Sequence, residues 1–291
     1  MCRKEIVGVV RANQFSPNHI GNDAAIFQAT VEALMHLGCH VKVMTEPEFA
    51  AANVQASIIF SMGRESRTIE KLLQLEQDGV TVINSPRGVK QCTRETMTRL
   101  LMEANVPHPR SLIVDTTSDA SCQMQEKYWF PCWLKRGDFH AIHREDVSFV
   151  RNADELRDTL QEFHLRGIRR AVINEHLRGD LVKFYGVAGT PFFFWFYPFD
   201  MHHSKFGLEQ INGISKGYAF DVEVLKRICD HAAEVLHVHV YGGDCIVNVD
   251  GGMQLIDFND WPSFAPCRCE AAPYIAQVIY NEIGERNKIK E

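Results

Sequence analysis

The stretch "DCIVNVDGGMQLIDFNDWPSF", from Asp244 to Phe264, places Asp244, Asp257, Asn259 and Asp260 at one end of what reads as a β-hairpin. Asp250-Gly251 is a two-residue turn signal, since a type I′ turn needs positive φ at both central residues. With that turn Val249 faces Gly252, and Asp244 faces Asp257 on one side of the sheet. Asn259, two residues beyond Asp257, shares that side. Opposed carboxylates with Cβ atoms about 5 Å apart repel unless a cation or proton lies between them. Carboxylate and amide oxygens suit a hard divalent ion, and Mg2+ is commonly held by a few protein ligands together with phosphate oxygens. The residues alone leave two readings open: a magnesium platform, or a solvated strand end with Asp260 capping the "WPSF" turn.

The elements that must position this hairpin fall into two textures. Up to residue 84 strand and helix signals alternate. "EIVGVV" and "HVKVM" are β-branched runs, and between them "NDAAIFQATVEALMHLG" has helical apolar spacing, with Asn22 as N-cap and Gly38 as stop. "ASIIFSMG", "ESRTIEKLLQLEQDG" and "VTVIN" repeat the pattern, so a doubly wound parallel sheet is expected. From "NSPRG" onward the chain reads as α+β. "CTRETMTRLLMEANVPHP" is a helix ending near Asn105, and "SLIVD" a strand. "YWFPCWLKRGDFHAIHREDVSFV" supplies two strands around a polar loop. "NADELRDTLQEFHLRG" opens with Asn152 as N-cap and Glu155 three residues on, like a capping box. "RAVINEHL", "LVKFYGVAG" and "PFFFWFY" are strands, "DVEVLKRICDHAAEVLH" is a helix, and "APYIAQVIYNEIGERNK" is an amphipathic helix after the hairpin.

The chain has 291 residues, 45% of them hydrophobic, enough for a substantial core. A net charge of -6 argues against a general nucleic-acid or anionic-membrane surface. No apolar run has the length of a bilayer span, and "MCRKEIVGVV" lacks the features of a signal peptide, so a cytoplasmic location is expected. Nine cysteines suit reduced thiols better than a disulfide framework, and Cys267 and Cys269 have no second ligand pair at zinc-finger spacing.

The hairpin resembles the metal-binding end of the ATP-grasp superfamily: a first carboxylate (Asp244), a turn ("NVDGG"), an acidic residue, a spacer and Asn ("DFN"), then a Pro-containing loop ("DWPSF"). Asp257 stands where Glu is more frequent. "RAVINEHLRGDLVKFYGV" looks like the adenine hinge and ribose segment, "FPCWLKRGDFHA" like the strand and phosphate loop, and "CTRETMTRLLMEANVPHP" like the helix whose start usually bears Lys and here bears Arg94. The resemblance implies an ATP-grasp fold of three parts: 1–84 as the N-terminal doubly wound domain, 85–174 as the small subdomain, and 175–291 as the subdomain with the metal hairpin. It implies that Glu175 offers its backbone carbonyl and Leu177 its N–H to adenine, and that Asp180 holds the ribose. Lys135, Lys183 and Arg94 would approach the phosphates, with Lys135 and Lys183 as the catalytic cations. Asp244, Asp257 and Asn259 would hold Mg2+, or Mn2+ in its place.

The activity so implied is ATP-dependent joining of a small-molecule or peptide carboxylate to an amine through an acylphosphate. A homodimer is a family-level expectation. A kinase acting on a hydroxyl is an alternative, since the superfamily resembled includes such kinases; an ATP-binding module that has lost catalysis is another, because Arg94, Asp257 and the Gly-poor loop "KRGDFHAIHRED" depart from the common pattern. In that loop Arg136, His140 or His143 could compensate for the missing glycines, or His140 and His143 are ordinary surface residues. His202, His203 and Lys205, with Asn212 and Lys216, could face an anionic substrate or line a solvated loop. The run "FFFWF" reads as strand packing.

Overall fold

The computed structural model describes residues 5–16, 20–118, 130–138, 144–198 and 211–288. The first sheet is parallel. β1 (Glu5–Val9) lies between β2 (His40–Met44) and β3 (Ile58–Ser61), with β4 (Thr81–Ile83) beyond β3. Helices α1 (Ile20–His36), α2 (Glu46–Ala51) and α3 (Ser66–Gln77) make the crossovers. Asn22 is not the N-cap of α1. It lies in the first turn, and its side chain accepts from Arg268 Nη2 at 3.1 Å. Gly38, at φ +81°, ends the helix as the sequence suggests. The short α2 is closed by a capping box, Thr45 Oγ1 receiving Glu48 N while the Glu48 carboxylate receives Thr45 N at 2.8 Å.

After α4 (Pro86–Gln91) and α5 (Arg94–Glu103) come two antiparallel sheets. The second sheet has the order β5 (Ser111–Asp115), β8 (Arg170–Glu175), β6 (Cys132–Arg136), β7 (Val147–Val150). Strand alternation sends Val114, Cys132, Leu134, Ala171 and Ile173 onto α6 (Ala153–Leu165), forming a core of their own. The opposite face carries Ser111, Trp133, Lys135, Val172 and Asn174. Asn152 caps α6, its Oδ1 accepting Glu155 N at 2.9 Å, but Glu155 reaches back to Arg151 N instead of completing the box.

The third sheet has the order β10 (Phe193–Phe196), β9 (Asp180–Val187), β11 (Val240–Val247), β12 (Met253–Asp260). Both its faces are covered. Val182, Phe184, Tyr241, Cys245 and Phe258 pack with Met97 and Leu101 of α5 and with Leu225 and Cys229 of α7 (Val222–Val235). Tyr185, Val187, Val240 and Trp261 pack on α8 (Arg268–Lys288) and on Phe27 and Phe60 of the first sheet and its helix. The first and third sheets therefore share a core, and the second stands on its own. Strand β10 serves both faces, Phe196 one and Phe193 and Trp195 the other, which is the packing role expected of "FFFWF". Asn84 ties the end of β4 to β11: its Nδ2 donates to Val240 O at 2.7 Å, and its Oδ1 accepts His239 N and Val240 N, each at 2.8 Å. Every described cysteine is a free thiol, and no described helix is long and apolar enough to cross a membrane.

Candidate active site

The β11–β12 hairpin reaches the expected pairing by a different route. Gly251 N donates to Asn248 O at 3.0 Å and Asn248 N to Gly252 O at 2.9 Å, closing a loop of Val249, Asp250 and Gly251. Only Gly251 in that loop has positive φ, +78°, so the turn is not type I′. Asn248 Oδ1 builds it by accepting Asp250 N at 3.0 Å and Gly252 N at 2.7 Å. Pairs next to the loop run from Val247 with Met253 to Cys245 with Leu255. An extra residue, Ile256, then enters β12, and Asp244 pairs with Asp257. The bulge offsets the longer loop. It also places Ile256 outside the regular ladder, where its carbonyl accepts Lys135 Nζ at 3.0 Å.

Around the opposed carboxylates stand three cations from three elements. Lys183 on β9 pairs across from Asp244, and its Nζ lies 2.9 and 3.2 Å from the two Asp244 oxygens. Arg94, the first residue of α5, meets Asp257 Oδ1 at 3.4 Å, while its Nε is buried without a hydrogen-bond partner. Lys135 on β6 is 7% exposed. Burial pushes its pKa down to about 7, with Arg94 adding to the effect and Asp257 and Asp244 opposing it. With Lys135 protonated, three cations stand against two carboxylates, a net positive cleft suited to a polyphosphate. Asn259, two pairs beyond, continues the same face. Among the described residues no three His, Cys, Asp or Glu side chains gather as a metal site by themselves. Two carboxylates and an amide nonetheless form a hard oxygen donor set, which would need phosphate oxygens to complete a shell around Mg2+.

Helix α5 is aimed at the cleft by the second sheet. Glu95 N donates to Gly137 O at 2.9 Å, Gly137 N to Arg170 O at 2.8 Å, and Arg170 and Glu95 form an ion pair at 3.1 Å. Gly137 is needed for this approach, because a Cβ there would lie 2.9 Å from Arg170 O. Below Lys135 sits His108. Its Nδ1 lies 2.8 Å from Pro109 O, which places the proton on Nδ1, and Asn174 Nδ2 donates to the neighbouring Ser111 Oγ at 2.7 Å. Burial lowers the His108 pKa to about 4 against the pull of the Pro109 carbonyl, and the charges of Lys135 and Arg94 lower it further.

Glu175, expected with Leu177 to meet adenine, is the last residue of β8, and Leu177 follows two residues on. The Glu175 carboxylate receives Arg110 N and Arg110 Nε, both at 2.9 Å, and Leu177 N makes no backbone hydrogen bond among the described residues. His176 between them accepts Trp133 Nε1 at 3.2 Å and meets the Phe149 ring edge-on at 5.1 Å. Neither Trp133 nor His176 was singled out from sequence, although Trp133 is two residues before Lys135 on one strand and so shares its face. Asp180 is 3% exposed, and its two oxygens accept Lys216 N at 2.7 Å and Tyr218 N at 2.9 Å. This carboxylate holds the following loop, a task its sequence position did not suggest.

Asp260 is not on a solvated strand end: it is buried and meets Arg64 Nη2 at 2.6 Å. Arg136 is engaged by Asp138 at 2.9 Å and Asp146 at 3.5 Å, so it does not stand free to replace loop glycines. The Lys216 ammonium lies 5.8 Å from the Tyr218 ring centroid. His140, His143, His202, His203 and Lys205 lie outside the described residues.

No family model and no curated protein sequence matches the chain. Solved structures do. D-alanyl-alanine synthetase A from Vibrio cholerae superposes with a TM-score of 0.70 at 10% identity, covering 97% of this chain and 98% of its own. The D-alanine–D-alanine ligase from Bacillus anthracis complexed with ATP gives 0.67 at 12% identity, covering 98% and 99%. The ATP-grasp ligase PsnB complexed with its minimal precursor gives 0.63 at 16% identity, covering 96% and 99%. The chain has the ATP-grasp fold, preceded by a doubly wound parallel sheet.

Proposed function

We propose that the protein is an ATP- and Mg2+-dependent ligase that joins a carboxylate, small-molecule or peptide, to an amine. The observation that carries the reading is the convergence of Lys135, Lys183 and Arg94 on the opposed Asp244 and Asp257, in an ATP-grasp fold. The reaction class is attack of a carboxylate oxygen on the γ-phosphorus, with ADP leaving, then displacement of phosphate from the acylphosphate by the amine. No protein nucleophile takes part, so the residues act by placement and charge.

Glu175 through its carbonyl and Leu177 through its N–H would receive adenine, and the Trp133 to His176 hydrogen bond steadies the segment between them. Asp180, at the start of β9, would hold the ribose, and its carboxylate also accepts the Lys216 and Tyr218 N–H groups. Asp244, Asp257 and Asn259 would hold Mg2+ or Mn2+, which supplies charge neutralisation of the phosphates when bound. Lys183 and Arg94, now paired with those carboxylates, turn to phosphate oxygens as ligands arrive. Lys135 must carry a proton to serve the phosphates, and the polyanion supplies the opposite charge that favours it.

The test is a thermal-shift titration with ATP, with and without magnesium, on wild type and Asn259→Ala. The expected result is magnesium-dependent stabilisation that the variant weakens. Wild type unmoved by millimolar Mg·ATP would sink the reading. Binding without ADP release across a panel of carboxylates and amines would instead leave a nucleotide-binding module.

A further inference from the structure

Strand β8 ends on Glu175 with one ladder bond missing, and the group that prevents it is the Glu175 side chain. Strand β5 lies antiparallel against β8 with Ser111 opposite Asn174, so Arg110 lies opposite Glu175. Glu175 N donates to Arg110 O at 3.0 Å, which marks this as a position where opposite residues exchange both backbone bonds. The return bond, from Arg110 N to Glu175 O, is not made. Arg110 N donates instead to Glu175 Oε1 at 2.9 Å, and Arg110 Nε donates to Oε2 at 2.9 Å. The carboxylate thus grips Arg110 by backbone and side chain together. At the other end of β5 the ladder runs on past the strand, with Thr116 N donating to Arg169 O at 3.0 Å, so the break at Arg110 is local.

The Glu175 carbonyl shares the β5 edge with its own N–H and accepts no backbone hydrogen bond there. On the β6 side the bonded residues of β8 are the even-numbered ones, as His176 N to Pro131 O at 3.4 Å and Gly137 N to Arg170 O at 2.8 Å show. Glu175 therefore has no bond to β6 either, and the alternation returns the Leu177 N–H to the edge of the Glu175 carbonyl. Backbone groups are nearly always paired, with protein, water or ligand. An acceptor and a donor on one edge match the amino group and adjacent ring nitrogen of a 6-aminopurine. The Arg110–Glu175 ion pair itself is 45% and 21% exposed, so it adds little to stability.

We infer that Glu175 is a positioning residue whose carboxylate holds the Arg110 N–H away from the Glu175 carbonyl and so keeps that carbonyl open for the nucleobase. The side chain then sets nucleotide affinity without touching the nucleotide. This rests on the function proposed above, which places adenine at Glu175 and Leu177.

Calorimetry tests it with Mg·AMP-PNP and with magnesium tripolyphosphate, which has no base. The proteins are wild type, Glu175→Ala, Glu175→Gln, and Glu175→Ala combined with Arg110→Pro. In Glu175→Ala the freed Arg110 N–H closes on the carbonyl. Affinity for Mg·AMP-PNP should fall about tenfold or more, while tripolyphosphate binding and the melting temperature without nucleotide show no matching loss. Glu175→Gln still offers an oxygen to Arg110 N and should recover most of the affinity. Arg110→Pro removes the N–H, so adding it to Glu175→Ala should recover it too. Glu175→Leu, which keeps the stem and lacks the acceptor, repeats the comparison if Glu175→Ala fails to fold. The inference is overturned if Glu175→Ala binds Mg·AMP-PNP as tightly as wild type, if Glu175→Gln binds it as poorly as Glu175→Ala, or if tripolyphosphate suffers the same loss. A folded double variant that recovers nothing overturns it as well. Wild type that binds neither ligand sinks the nucleotide reading itself, a result distinct from all of these.

Discussion

Lys135 is the side chain in the cleft with the most to gain from a ligand. Its burial disfavours the ammonium, it donates to the Ile256 carbonyl, and Arg94 adds repulsion. Lys135→Met should therefore fold at least as stably as wild type, since it removes a buried charge without leaving a hole. The same variant should bind Mg·AMP-PNP about tenfold to a hundredfold more weakly by calorimetry. His108 makes a pH prediction. Its folded pKa of about 4 lies below the usual 6.5, so between those values the unfolded chain binds more protons. Stability is then lost as pH falls from about 6.5 to about 4, by up to about 3 kcal/mol from this residue. His108→Gln should flatten that slope in urea denaturation at a series of pH values, and an unchanged slope would refute the assignment. Asp244, Asp257 and Asn259 were legible because hairpin pairing is a local rule. The positions of His108 and Arg64 were not, because their partners come from elements far along the chain and leave no periodic trace.

At the scale of elements, the hairpin shows how local rules can give a correct pairing from an incorrect turn. "VDGG" reads as a two-residue turn, yet Asn248 builds a longer loop and Ile256 bulges to match it. A bulge depends on which carbonyl a distant lysine needs, and nothing in "QLID" declares that. The close pairing that follows makes Gly243 the sensitive position. A Cβ there would lie 2.2 Å from Asp257 O, so Gly243→Ala must push β12 away from β11. The expected cost is about 1–3 kcal/mol. Magnesium should also lose its effect on the melting temperature with ATP, because Asp257 and Asn259 move with the strand. The helices were easier to read than the strands' irregularities: Asn152 caps α6 where its spacing places it, whereas Asn22 lies inside α1 and its side chain is engaged by Arg268.

For the molecule as a whole, the partition of the core decides what can move. The second sheet has its own apolar interior and brings Lys135 to the cluster, while Arg94, Lys183 and the carboxylates stand on the remainder. Among the contacts that cross is the Glu95–Arg170 ion pair, partly exposed and so worth about 0–1 kcal/mol to stability. Glu95→Gln should leave the melting temperature nearly unchanged and shorten the residence time of a fluorescent ATP analogue in stopped-flow displacement, because it loosens the second sheet from α5. An unchanged dissociation rate would show that this contact does not govern release. The parallel sheet was readable from its alternating signals, but its partnership with α8 was not, since an amphipathic helix at the end of a chain does not announce which face it will cover. That partnership limits how the protein can be recombined. Residues of α1 and of α8 bury one another's apolar sides, so a chimera that exchanges only the N-terminal sheet would graft a foreign surface onto Ile275 and Ile279. Helices α1 and α8 form one module of inheritance, and a transplant between proteins of this fold has to carry both.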